Sequence, residues 1–354
     1  MNLARRLAAP VTALALAAAA LASAGTAAAA DLNPAQVAGD IPLATINPSA
    51  RTDVPEPVWR QKIAGRDDAR EVWIFSPSMQ RDVPFVLIPA KEDNRPTIYL
   101  LNGADGGEGT ANWIMQTNVI DFYREKNVNV VIPMSGKFSY YTDWVEEVPS
   151  LGGKQNWETF LTKEVPGPVE KFLKASNKRA IVGMSMTGTT SLLYAEHNPG
   201  FYDAVGSYSG CAATSRGTAV WYLDETLKRG NVTREQMWGP LGTGTWHYND
   251  ALINAEKLRG TEVYVSNGSG MSGEYDTLSN PRLGNNSIAQ ANVKILGGAI
   301  EAATNQCTHD LKAKMDQLNI PGDFKFRPTG THSWGYWEED LTTSWPTFER
   351  GFND

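Results

Sequence analysis

Cysteine is nearly missing from this chain: two in 354 residues, Cys211 and Cys307, with no C-x-x-C spacing. That excludes zinc ribbons and thioredoxin-like redox motifs, which need closely spaced thiols. Histidine is almost as scarce, with four, so imidazole chemistry has few carriers. Beyond the first thirty residues no segment approaches the ~20 continuous apolar residues of a membrane span. The glycine-rich stretch GADGGEG, 103–109, lacks the lysine of a phosphate loop and does not open a helix cleanly. Nucleotide binding of that kind is excluded. No metal or cofactor is expected.

Residues 1–30 have Arg5 and Arg6, a short alanine-dominated apolar run and small residues ending at Ala30. This pattern reads as a secretory signal peptide cleaved after Ala30; a retained anchor is the alternative. The remaining chain holds 30 basic and 39 acidic residues, a net charge of −9, which argues against nucleic acid as a partner. In an exported chain an even pair of cysteines predicts one disulfide, Cys211 to Cys307; two buried thiols are the alternative. With 11 Trp, 12 Tyr and 11 Phe, the chain has ample material for a packed core.

Residues 31–57 carry five prolines and little periodicity, and read as an extended N-terminal arm. A single catalytic domain is expected over 58–354. In it, eight short runs rich in β-branched and aromatic residues recur: EVWIF, VPFVLIP, TIYLL, VNVVIP, RAIVG, AVGSYS, EVYVS and DFKFRP. Helix-like stretches fall at Trp113–Lys126, Trp157–Lys174, Thr187–Glu196 and within Ile288–Leu318. Strands alternating with helices predict a mainly parallel eight-stranded sheet covered on both faces, with an antiparallel start. Residues 212–260 read as a helical, loop-rich insertion.

Between the fifth strand and its helix lies VGMSMTGTT, 182–190. Ser185 falls at the turn, where a nucleophile elbow pushes a hydroxyl out at the tip of a sheet. The pattern departs from G-x-S-x-G, since Thr187 precedes Gly188. A serine needs a base within hydrogen-bond reach and an orienting acid behind it. Of the four histidines, His197 reads as a surface helix end, His247 lies in the insertion and His309 within a helix. His332 follows the last strand, where an α/β-hydrolase presents its base. For the acid, layout favours Asp276 over Glu274, with Glu301 as the other candidate. Backbone N–H groups of Met186 and of Ala104, in the loop after the third strand, would form the oxyanion hole.

Several stretches resemble the mycoloyltransferases of mycolic-acid bacteria, of the antigen 85 type. They are SPSMQRD (76–82), YLLNG (99–103), YYTDW (140–144), WETFLTKEVP (157–166), GMSM (183–186), MWGP (237–240), NGS (267–269) and THSWGYW (331–337). The resemblance runs from about Ser76 to the C-terminus. It implies an α/β-hydrolase fold and a Ser–Glu–His triad, and on spacing to the histidine it moves the acid from Asp276 to Glu301. It implies that Asn102, Ser333 and Trp334 face substrate. Asp105 stands where the family usually has arginine, so trehalose contacts do not carry over whole. Val265 replaces a cysteine that some members carry.

The resemblance implies transfer of a mycoloyl group from trehalose monomycolate, through an acyl-serine, to a second trehalose monomycolate or arabinogalactan. The enzyme would be secreted to the cell envelope, in peripheral contact with its outer mycolate layer. Alternatives are a protein O-mycoloyltransferase, a secreted carboxylesterase and, outside catalysis, an envelope-binding protein with a spent site.

Overall fold

The computed structural model describes residues 41–353. The leader read over residues 1–30 and the first part of the arm lie outside them. The eight runs form strands β2 (Arg70–Ser76), β3 (Arg81–Ile88), β4 (Thr97–Leu100), β5 (Asn129–Pro133), β6 (Arg179–Met184), β7 (Ala204–Tyr208), β8 (Glu262–Asn267) and β9 (Asp323–Phe326). A further strand, β1 (Thr45–Asn47), comes from the arm. It pairs antiparallel with β2, while the Ala44 N–H donates to the Glu164 carbonyl at 3.1 Å. The sheet therefore has nine strands, not eight, and the domain begins before residue 58. Three residues are too few for periodicity to separate an edge strand from a linker.

The order is β1-β2-β3-β5-β4-β6-β7-β8-β9. Pairings are antiparallel from β1 as far as β3–β5 and parallel from β5 onward. Adjacent residues of a strand point to opposite faces. Tyr99, Ile181 and Val205 thus enter one core, and Ile98, Val182 and Ala204 the other. Both faces are covered, which is why these strands read as continuous apolar runs rather than alternating ones.

Helices α1 (Val119–Lys126) and α6 (Trp334–Asn353) contribute to the second core. The first core receives α2 (Pro166–Leu173), α3 (Met186–His197), α4 (Gly217–Arg229) and α5 (Gly298–Leu318). The 212–260 insertion is helical as expected. The stretch Trp113–Lys126 breaks at Thr117–Asn118 into two helices. Helix α6 was not expected; Pro346 inside it masks an apolar face of Trp337, Leu341 and Phe348. In a mainly parallel sheet of this kind, ligands meet the carboxyl ends of the strands. The elbow serine sits there, at the end of β6.

Candidate active site

Strand β6 ends at Met184 and α3 begins at Met186, so Ser185 alone makes the turn, with φ 58° and ψ −123°. Such a conformation costs on the order of 1–3 kcal/mol for a non-glycine residue. The Ser185 N–H is anchored on the Tyr208 carbonyl at 2.8 Å. A Cβ on Gly183 would lie 2.0 Å from the Thr187 carbonyl oxygen, so only glycine lets the helix start fold back on the strand. Thr187 fills the place of the second glycine. Its hydroxyl accepts from the Met184 N–H at 3.0 Å and donates to the Met184 carbonyl at 3.1 Å. The departure from the usual pattern thus latches the turn rather than opening it.

The Ser185 Oγ lies 2.7 Å from His332 Nε2, and His332 Nδ1 lies 2.8 Å from Glu301 Oε2. Glu301 is 1% exposed. Its other oxygen, Oε1, accepts from Ser209 Oγ (2.8 Å), Asn267 Nδ2 (3.1 Å) and the Gly268 N–H (2.7 Å). Those three donors fix the carboxylate plane and aim Oε2 at the imidazole. Ser209 accepts in turn from Trp337 Nε1 at 2.9 Å, and the Trp337 ring meets the His332 ring edge-on at 4.9 Å. Ser209 and Asn267 escaped sequence reasoning because nothing marks a hydroxyl or an amide at a strand end as support for a distant acid.

Asp276, the acid that layout alone favours, does not touch His332. It accepts from the hydroxyls of Thr331 (2.6 Å), Ser333 (3.2 Å) and Tyr336 (2.9 Å), and from the Gly273 N–H (2.8 Å). Thr331 and Ser333 flank the histidine, so Asp276 holds the loop that carries it. Asp276→Ala would leave buried donors unpaired, at a cost of about 1–3 kcal/mol each. A lowered thermal midpoint together with a fall in kcat larger than any change in KM is the expected result.

Cys211 and Cys307 are joined, with Cα atoms 5.0 Å apart and a sequence separation of 96. Cys307 lies on α5 six positions after Glu301, and Cys211 follows β7. The bridge therefore ties the acid's helix to the sheet. A closed loop of this length contributes about 2–5 kcal/mol in chain-entropy terms. The Cys211→Ser, Cys307→Ser double variant should show that loss as a lower urea unfolding midpoint, with a larger m-value because the unbridged denatured chain is free to expand.

The loop after β4 passes beside the serine. A Cβ on Gly106, at φ +63°, would lie 2.2 Å from the Lys137 N atom, so the loop packs against backbone. Ala104 lines the pocket that holds Ser185 and His332. Met186 is the first residue of α3, and the opening N–H groups of a helix have no intrahelical acceptor. Among the described residues neither the Ala104 nor the Met186 N–H has a protein partner outside regular helix or strand pairing.

Asn102 needs correction. It is fully buried, its Oδ1 accepts from the Trp113 N–H at 3.1 Å and its Nδ2 donates to the Pro133 carbonyl at 2.9 Å. It braces the loop and cannot face a sugar. Asp105 is also turned inward, accepting from the Gly109 N–H at 2.9 Å. Trp113 is core, donating from Nε1 to the Leu101 carbonyl at 2.8 Å. Trp334 is partly buried, edge-on to Trp113 and Trp337. His197 is not a surface residue. It is buried, held between Glu158 Oε1 and the Tyr248 carbonyl at 2.8 Å each.

The pocket at the serine has a volume of about 150 Å³. Besides Ala104, Ser185 and His332 it is lined by Tyr222, Glu225, Thr226 and Arg229 of α4, and by Leu296 and Ile300 at the start of the acid's helical segment.

A strained serine, an imidazole and a buried carboxylate in one hydrogen-bonded line agree with what sequence comparison finds. The esterase family model, described as "Putative esterase", matches residues 76–348. The chain belongs to the esterase family, in its antigen 85 mycolyltransferase branch. "Diacylglycerol acyltransferase/mycolyltransferase Ag85A" of Mycobacterium tuberculosis is 31% identical over 286 residues, covering 78% of this chain and 79% of its own. The Ag85C protein of Mycobacterium leprae, with the same activity in its name, is 30% identical over 288 residues, 78% and 80%. Among solved structures, MPT51 (FbpC1) of Mycobacterium tuberculosis superposes with a TM-score of 0.64 at 24% identity, covering 78% of this chain and 96% of its own. FphF, a serine hydrolase of Staphylococcus aureus, gives 0.59 at 16% identity, 81% and 98%. These two neighbours establish the α/β-hydrolase fold of this esterase. Family and fold together make the chain an acyl-transferring enzyme.

Proposed function

We propose that this esterase is a mycoloyltransferase that moves a mycoloyl group from trehalose monomycolate to a sugar hydroxyl, on a second trehalose monomycolate or on arabinogalactan. The observation that carries the reading is the unbroken Ser185–His332–Glu301 line in a chain whose 30–31% identical relatives are named mycolyltransferases.

The carboxylate of Glu301 only accepts, so His332 carries its proton on Nδ1 and offers the Nε2 lone pair to the Ser185 hydroxyl. Ser185 Oγ attacks the ester carbonyl as its proton passes to Nε2. The oxyanion is met by the Met186 and Ala104 N–H groups, an arrangement whose removal typically costs about 2.7–4 kcal/mol per donor. The Nε2 proton then goes to the departing trehalose oxygen, leaving the acyl-serine. An acceptor hydroxyl loses its proton to Nε2, attacks the acyl carbon and restores Ser185. Glu301 orients the ring and stabilises the imidazolium throughout.

Trp334, partly exposed two residues from His332, is the aromatic surface we assign to the acceptor sugar. The signal sequence read over residues 1–30 supports action in the cell envelope. Incubation of the purified protein with trehalose monomycolate should yield trehalose dimycolate and free trehalose. Free mycolic acid as the only acyl product would make the enzyme a hydrolase, and acylated peptide would make the acceptor a protein.

A further inference from the structure

Tyr222 is an unexplained feature of the pocket. It lies on α4, is 4% exposed, and lines the pocket with Ser185 and His332. Its hydroxyl has no hydrogen-bond partner among the described residues. Ser185 is a polar neighbour of the phenol in this pocket, but the two do not meet as a hydrogen bond. Burial dominates and pushes its ionisation well above the ordinary range, so the hydroxyl keeps its proton and can donate. Buried polar groups in folded chains are nearly always satisfied, because an unmet one destabilises the fold. A donor kept unmet beside a nucleophile is explained if substrate supplies its acceptor.

The neighbourhood says what that acceptor is. The oxyanion position already has the Met186 and Ala104 N–H groups. Helix α4 presents Tyr222, Glu225, Thr226 and Arg229 along one line, at i, i+3, i+4 and i+7, whereas Leu296 and Ile300 give the pocket an apolar surface. A plain alkyl chain would match the apolar residues and leave the phenol unpaired. In an acyl-serine the carbonyl carbon is bonded to Oγ, and the β carbon is two bonds further along. A hydroxyl on that carbon stays within reach of a donor that flanks Ser185 itself.

We propose that the Tyr222 hydroxyl hydrogen-bonds a hydroxyl on the β carbon of the acyl group, making the enzyme selective for 3-hydroxyacyl donors over unsubstituted ones. Mycoloyl groups carry such a hydroxyl. The proposal deepens the acyl-transfer reading above and rests on it. Tyr222 is here a specificity residue, and the chemical steps do not require it.

The test compares 4-nitrophenyl 3-hydroxydecanoate with 4-nitrophenyl decanoate, using the full mature chain and its Tyr222→Phe variant. The wild type should prefer the hydroxylated ester by roughly tenfold in kcat/KM, the size of one hydrogen bond to a neutral partner. Tyr222→Phe should keep its activity on decanoate and lose the preference. Wild type with no preference overturns the proposal whatever the variant does. Equal loss on both esters also overturns it, since the phenol would then serve the oxyanion or the fold. Failure of the wild type to turn over either ester would remove the acyl-transfer reading, and this inference with it.

Discussion

Ser185→Ala should lower acyl transfer by about 10⁵–10⁶-fold, the scale seen when a triad nucleophile is removed. The side chain is small, and the hydrogen bond that Ser185 Oγ makes is to His332. The variant should therefore fold normally, and its thermal midpoint should stay close to that of the wild type. Removing the Cβ hydroxyl leaves φ at 58°, which alanine tolerates no better than serine, so no relief of backbone strain should raise stability. Binding of the donor should persist, because the pocket lining and the oxyanion donors remain. Activity loss with intact substrate binding is the signature to look for, measured by initial rates beside a direct binding assay.

Glu301→Gln should cost about 10⁴-fold in kcat, by a different route. Three donors converge on Oε1: Ser209 Oγ, Asn267 Nδ2 and the Gly268 N–H. They hold the amide oxygen of glutamine at that position and leave its NH₂ facing His332. An amide donor at Nδ1 forces the proton onto Nε2, where it points at Ser185. The ring then cannot accept the serine proton. Geometry and fold would survive while the tautomer is wrong, so the loss should appear in kcat for every ester substrate alike. A Gln variant within tenfold of wild type would mean that Glu301 does not set the tautomer.

The strands were legible because both faces of the sheet are buried, which turns each strand into a short apolar run bounded by turn residues. Thr45–Asn47 and α6 were not: one is too short, and the other has its helical period broken by Pro346. Ser185 and His332 could be located from their order along the chain and their place at strand ends. The acid could not, since Asp276 and Glu301 are both buried carboxylates near the histidine loop. Layout chose the one that holds the loop, and family resemblance chose the one that meets the ring. Asn102 shows the limit of carrying a ligand role over by position, because its polar atoms are taken up by Trp113 and Pro133. Tyr222 and Ser209 carry no sequence signal, for their significance lies in what stands near them across the fold.

The most direct measurement is peptide mass mapping of the wild-type chain quenched during turnover of trehalose monomycolate. A mycoloyl adduct on the peptide bearing Ser185, absent from Ser185→Ala, is the predicted result. Dimycolate formation with the adduct on another residue, or undiminished in the alanine variant, would contradict it.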